Sequence, residues 1–106
     1  MTIQILSTIQ RPNLDVPWTP FGNDYQWYMS NQYFLETWHE KGRLLSMTFT
    51  HSDDDLTVNA VMQFLDWESL DDYISDTTLN TEIRTPRQTY FSAVGIEITN
   101  LETVEV

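Results

Sequence analysis

Two alternating runs separated by five polar residues constrain this chain more than any other feature. Arg43–Thr50 places Leu45, Met47 and Phe49 at every second position, and Leu56–Phe64 answers with Leu56, Val58, Ala60, Met62 and Phe64. Successive strand side chains point to opposite faces, so each run reads as a strand with one buried face. His51–Asp55 between them is a polar turn, and strands joined so tightly form a β-hairpin.

The other segments take their character from the same test of period. Thr2–Gln10 alternates, with Ile3, Ile5 and Ile9 on one side and Gln4, Leu6 and Thr8 on the other, and predicts a first strand. Arg11–Pro20 carries Pro12, Pro17 and Pro20 and predicts a loop. Thr19 followed by Pro20 is one acceptable helix start, and Asn23 or Asp24 is the alternative cap. From Tyr25 to Lys41 the period is helical, and Gly42 supplies a stop. On that helix Trp27, Tyr28, Phe34, Leu35 and Trp38 fall within a sector of about 120°, while Tyr25, Met29 and Tyr33 form a second apolar patch. Asp66 can cap another helix, with Trp67, Leu70, Tyr73 and Ile74 at helical spacing. Thr77–Arg87 is ambiguous, between an extra helical turn and a loop closed by Pro86. Gln88–Thr99 reads as a last strand, and Leu101–Val106 as a weakly alternating edge segment.

The resulting order is strand, helix, strand, strand, helix, strand. It predicts an α+β class domain of ferredoxin-like βαββαβ build, a four-stranded antiparallel sheet with two helices on one face. The 106 residues form a single domain, residues 1–106, with no linker or repeat. Leu6, Leu44 and Val61 are expected on the sheet face the helices leave open. A second copy is the simplest source of cover, so the expected partner is the chain itself, two sheets stacked in a homodimer.

Charge and composition narrow the function classes. Five Lys and Arg stand against sixteen Asp and Glu, a formal net charge of −11. Such a surface repels phosphate backbones and anionic lipid, which predicts no nucleic-acid and no membrane partner. There is no cysteine, so disulfides, thiolate metal sites and cysteine nucleophiles are excluded together. No run approaches the ~18 apolar residues of a membrane span, and Met1–Arg11 lacks the features of a signal peptide. A cytoplasmic location is expected. With three glycines, no phosphate-cradling loop is available, and no zinc-ligand spacing occurs. The expected cofactor set is empty.

Candidate site residues come from the aromatic and methionine content. Asn31 falls by helical angle among Trp27, Phe34 and Trp38, which predicts an amide facing the apolar interior. There it serves either as a structural amide bonded to the sheet or as a polar anchor for a ligand carbonyl or hydroxyl. Trp27, Asn31, Phe34, Trp38, Met62, Trp67 and Tyr73 form the expected ligand-binding set, between helices and sheet, with Met29 and Met47 as further adaptable apolar surface. His39 sits in the last turn of the first helix, where an imidazolium favours the dipole. His51 beside Ser52-Asp53-Asp54-Asp55 is read as part of a solvated turn, because consecutive aspartates lack the spacing of a calcium loop. Arg84 and Arg87 either pair with surface acids or hold a carboxylate at the pocket mouth.

The run Phe64-Leu-Asp-Trp67-Glu-Ser69-Leu-Asp-Asp-Tyr73-Ile-Ser-Asp76, then Arg84 or Arg87, Tyr90 and Gly95-Ile96, resembles the dimeric α+β barrel superfamily. Its best-known branch is the antibiotic-biosynthesis-monooxygenase-like proteins. The resemblance covers about Val58–Ile98 in pattern and the whole chain in element order. It implies a ferredoxin-like homodimer and leaves the activity open among cofactor-independent oxygenases, haem-degrading enzymes, small decarboxylases and isomerases. Trp67 matches the haem-degrading branch, but no histidine follows His51 and the first-strand asparagine of that branch falls near Ser7. Both departures argue against haem. Two readings follow: a protein binding an apolar or amphipathic small molecule, aromatic or acyl-chain-like, or a cofactor-independent monooxygenase or isomerase using polar groups such as Asn31, Tyr73 and His39.

Overall fold

A computed structural model describes residues 1–23 and 27–106 of the chain. Strand β1 (Ile3–Gln10) is followed by irregular backbone and turns over residues 11–23 and 27–31, and then by α1 (Gln32–Phe34), which continues as a π-helical turn over Leu35–His39. The hairpin of β2 (Leu44–His51) and β3 (Thr57–Phe64) follows, then α2 (Trp67–Ile74). A second helical stretch comprises α3 (Thr77–Leu79), a π-helical turn at Asn80–Arg84 and α4 (Thr85–Val94). Strand β4 (Glu97–Glu105) completes the order.

Among the described residues the strands form one antiparallel sheet in the order β2-β3-β1-β4. Each βαβ unit is split: β3 lies between β1 and β2, and β1 lies between β3 and β4. The register places Ile3 opposite Phe64, Ile5 opposite Met62 and Ile9 opposite Val58. Partners in an antiparallel pair share a face, so the apolar alternation of the strands is stacked into one continuous surface under the helices.

Two apolar clusters fill the space between the layers. At one end Ile3, Phe34, Trp38, Leu44, Phe64, Leu70, Tyr73, Leu79 and Ile83 pack together, with the Trp38 and Tyr73 rings edge to face at 5.4 Å. At the other end Trp18, Val58, Phe91 and Ile96 form a smaller cluster. Asp76 fastens the first end. It caps α3 through the Leu79 amide at 3.1 Å and accepts from Tyr33 Oη at 2.8 Å and Trp38 Nε1 at 3.0 Å. Partial burial works to raise its pKa, but these donors outweigh it and hold the carboxyl below its usual range.

The structure corrects five sequence expectations about the fold. The helix expected from Tyr25 begins at Gln32, because the Asn31 side chain accepts the Phe34 amide at 2.8 Å and caps it. Asp24 and Tyr25 lie outside the described residues, and Trp27–Ser30 are turn. Thr19 closes a turn rather than starting a helix, donating to the Gly22 carbonyl at 2.7 Å. Leu44 lies under the helices at 2% exposure instead of on the open face. A bulge between Leu44 and Ser46 brings it into step with Met47 and leaves Leu45 exposed.

Residues 88–94, read as strand, belong to α4, so the helical layer has a further member. Pro86 occupies the first turn of that helix, where its missing N–H leaves no bond unmade. Gly95 ends it at φ 83°, a left-handed conformation that favours glycine. Leu101 and its neighbours are then the second half of β4 rather than a separate edge segment.

No described helix is long and apolar enough to cross a membrane. Gln4 bonds Gln63 at 3.4 Å and Thr8 bonds Asn59 at 3.3 Å on the helix-free sheet face, flanking the Leu6–Val61 pair. Leu79 is fully buried and Ile74 is 59% exposed. Leu79→Ala is therefore expected to cost about 2–5 kcal/mol in urea unfolding, and Ile74→Ala less than about 0.5 kcal/mol.

Candidate functional site

The ends of β2 and β3 and the irregular segment after β1 meet beside the smaller cluster. Arg11 organises this junction. Its side chain is 2% exposed, and its Nη2 pairs with Asp55 Oδ2 at 2.7 Å. Nε donates to the Asp55 carbonyl at 2.7 Å, and Nη1 donates to the Val16 carbonyl at 2.9 Å and Asn23 Oδ1 at 3.2 Å. The guanidinium also lies 4.6 Å from the centre of the Trp18 ring. A planar cation with five donors in a fixed fork suits such an enclosure better than lysine would.

Asp55 is shaped for its part. It takes φ 56°, a left-handed turn conformation that aspartate tolerates better than most residues. Besides Arg11, its carboxylate accepts from Trp18 Nε1 at 3.3 Å and meets His51 Nδ1 at 2.6 Å. The contact with His51 does most to hold the Asp55 carboxyl below its usual range, and Trp18 and the Arg11 charge add to it against desolvation. An ionised carboxylate can only accept, so the proton in the contact belongs to Nδ1 of His51. The Trp18 and His51 rings stand edge to face at 6.0 Å.

These residues border a cleft of about 70 Å³ between sheet and helices. Ile9, Phe49, Val58 and His51 line it from the strands, Trp18, Thr19, Asn23, Trp27 and Tyr28 from the segment after β1, and Arg87 and Phe91 from α4. Phe49, His51 and Val58 reach it because they occupy helix-facing positions at the hairpin end of the sheet. Arg87 donates from Nη1 to Tyr28 Oη at 2.7 Å. Among the described residues no carboxylate forms an ion pair with it.

Of the ligand-binding set expected from sequence, Trp27 lines this cleft. Phe34, Trp38 and Tyr73 are packed in the larger core, with Met62 against it. Burial, the neighbouring Tyr28 and its hydroxyl push the Tyr73 phenol far above its ordinary pKa, so it stays neutral. Trp67 is 46% exposed and donates from Nε1 to Glu105 at 2.8 Å. Asn31, expected to face the apolar interior, is instead a half-buried cap whose Nδ2 donates to Glu82 at 3.2 Å. The helical-angle argument fails there because Asn31 precedes the helix. His39 is exposed at the end of the first π-turn.

Arg84 bonds the Tyr73 and Ile74 carbonyls and stacks on the Tyr73 ring at 4.6 Å. It is structural, while Arg87 one helical turn later is at the cleft. The sequence reading took His51 as part of a solvated turn and did not single out Trp18 or the Arg11–Asp55 pair. The available signal was His51 continuing the inward parity of Met47 and Phe49. Among the described residues there is no group of three or more His, Cys, Asp or Glu able to hold a metal.

The depressed Asp55 pKa gives a pH signature. Its contribution to stability is present above the unfolded carboxyl value and is lost as pH falls through the folded one. Thermal melts from pH 6 down to about pH 3 are expected to show a steeper loss for the natural chain than for Asp55→Asn, which starts lower and changes less.

No family model and no curated protein sequence matches the chain. Among solved structures, the crystal structure of a dimeric ferredoxin-like protein from an uncultured marine organism is similar. The two share 14% identity at a TM-score of 0.62, over 99% of this chain and 94% of the other. Together with the split βαβ topology, this likeness shows that the chain has the ferredoxin-like fold.

Proposed function

We propose that this chain is a small-molecule binding protein whose cleft seats the anionic end of an amphipathic ligand. The observation that carries the reading is Arg87. In a chain of net charge −11, this half-buried guanidinium stands in an aromatic cleft with a phenol, and among the described residues no carboxylate, as its partner. A carboxylate or phenolate would complete its hydrogen bonding in a fork geometry, and Trp18, Trp27 and Phe91 offer apolar surface for the attached body. The size of the cleft, about 70 Å³, is roughly half that of the ~150 Å³ cavity that takes a benzene. A ligand larger than a short acyl group would project its remainder through the mouth.

The test uses benzoate as probe, read through the fluorescence of Trp18 and Trp27. Benzoate should quench or shift the emission saturably, and toluene should do so far less. Replacing a charge-assisted bond is worth about 1.5–3 kcal/mol, so Arg87→Met is expected to weaken benzoate roughly 10- to 100-fold. Equal binding by the natural chain and the variant would refute the anchor.

We infer further that the chain pairs with itself through the helix-free sheet face. Leu6 and Val61 form an apolar centre there, Val104 extends it, and Gln4 with Gln63 and Thr8 with Asn59 flank it as hydrogen-bonded neutral pairs, while Glu102 stands opposite Leu6 on the β4 side. On so acidic a protein, an apolar centre flanked by paired neutral side chains and bordered by the carboxylate of Glu102 is where two copies can approach. The marine neighbour is itself described as dimeric. Size-exclusion chromatography with light scattering should give twice the chain mass, and Val61→Lys should give the single chain with unchanged circular dichroism. A monomeric natural chain would refute the pairing.

A further inference from the structure

We infer that His51 and Asp55 form a general-base dyad that moves a proton on a ligand held by Arg87, so that the cleft is a catalytic site for proton transfer next to a carboxylate. This rests on the anion-binding reading of the same cleft and adds a reaction to it. Three features carry it. Asp55 engages Nδ1 of His51 at 2.6 Å, which leaves Nε2 as the basic nitrogen of the neutral ring. The carboxylate is itself held by the buried Arg11 and Trp18, so the imidazole is oriented from its Nδ1 side by a fixed framework, while the His51 and Asp55 side chains each keep 45% of their surface in solvent. His51 and Arg87 both line the one small cleft, with Phe49, Val58 and Phe91 as apolar surface.

A base and a cation in one apolar cleft suit a particular chemistry. A carbon acid activated by an adjacent carbonyl or carboxylate loses a proton to Nε2, and the electron pair of the broken C–H bond moves into an enolate. Arg87 stabilises the developing negative charge on oxygen. The imidazolium, stabilised by Asp55, returns the proton to a different atom of the same molecule, giving a tautomer or a shifted double bond. Proton and electrons balance within the substrate, and no oxidant or co-reactant is consumed. His51 is the catalytic residue in this scheme, and Asp55 is a positioning residue acting through it.

Phenylpyruvate is the probe, because its acidic CH₂ lies next to a keto acid. Exchange of that CH₂ with deuterium oxide is followed by proton NMR, and binding by tryptophan fluorescence. The natural chain should accelerate exchange over buffer. His51→Gln should retain phenylpyruvate binding within about threefold and lose at least ~100-fold of the exchange rate. Arg87→Met should lose both. Nitrogen-15 NMR of the histidines should show neutral His51 as the Nδ1–H tautomer, and Asp55→Asn should change that signature while lowering kcat more than it changes KM. Binding without accelerated exchange, exchange that survives in His51→Gln, or an Nε2–H tautomer in the natural chain overturns the dyad and leaves the binding reading standing. Absence of phenylpyruvate and benzoate binding overturns both.

Discussion

The arrangement at the cleft depends on one buried guanidinium. Taking a charge out of water costs several kcal/mol unless it is paired and its hydrogens are satisfied. Arg11 meets both conditions with a carboxylate, two backbone carbonyls, an amide oxygen and an indole face. Those partners come from two places distant in sequence, the proline-bearing segment after β1 and the turn between β2 and β3. Joining them holds Trp18 over the smaller core and turns Asp55 toward His51. The cleft, the oriented imidazole and the path of the irregular segment are consequences of that one junction.

The two ends of the molecule differ for a physical reason. At the Asp76 end, bulky side chains from α1, α2 and the α3–α4 stretch meet Phe64 and Leu44, and the space between layers is filled. At the Arg11 end the helical cover is thinner, with α4 supplying Phe91 and Arg87 and an irregular segment supplying the rest. Irregular backbone presents carbonyls and short polar side chains rather than a ridge of apolar ones, so polar groups and open volume concentrate there. The resemblance to dimeric α+β barrel proteins pointed to the space between helices and sheet, and the cleft lies in that layer, although most of the residues named for it pack the other end.

Legibility followed the kind of signal. The strands were readable because an alternation of eight residues admits few other structures, and β1, β2 and β3 lie within a residue or two of their expected bounds. Asp66 was readable as a cap because it precedes the helical spacing of Trp67, Leu70 and Tyr73. The region from Gln88 reads as strand because Tyr90, Val94, Ile96 and Ile98 share one parity, although Tyr90, Ala93 and Val94 also keep a helical spacing. Asn31 was misplaced because the same short polar side chain can sit inside an apolar sector or end it, and local pattern does not choose between the two.

By itself, the sequence determined the first three strands, the helix capped by Asp66, the acidic composition and the lack of thiols and phosphate loops, since these follow from period and composition. Only the tertiary structure decided which aromatics are solid core and which border a cleft, because that depends on which end of the sheet each helix covers. It also decided that His51 and Arg87 face one space, and that Arg11 is buried rather than part of a solvated loop. Residues forty-four positions apart meet at Asp55, and a contact of that separation is set by the packing of the whole sheet rather than by any neighbouring residue.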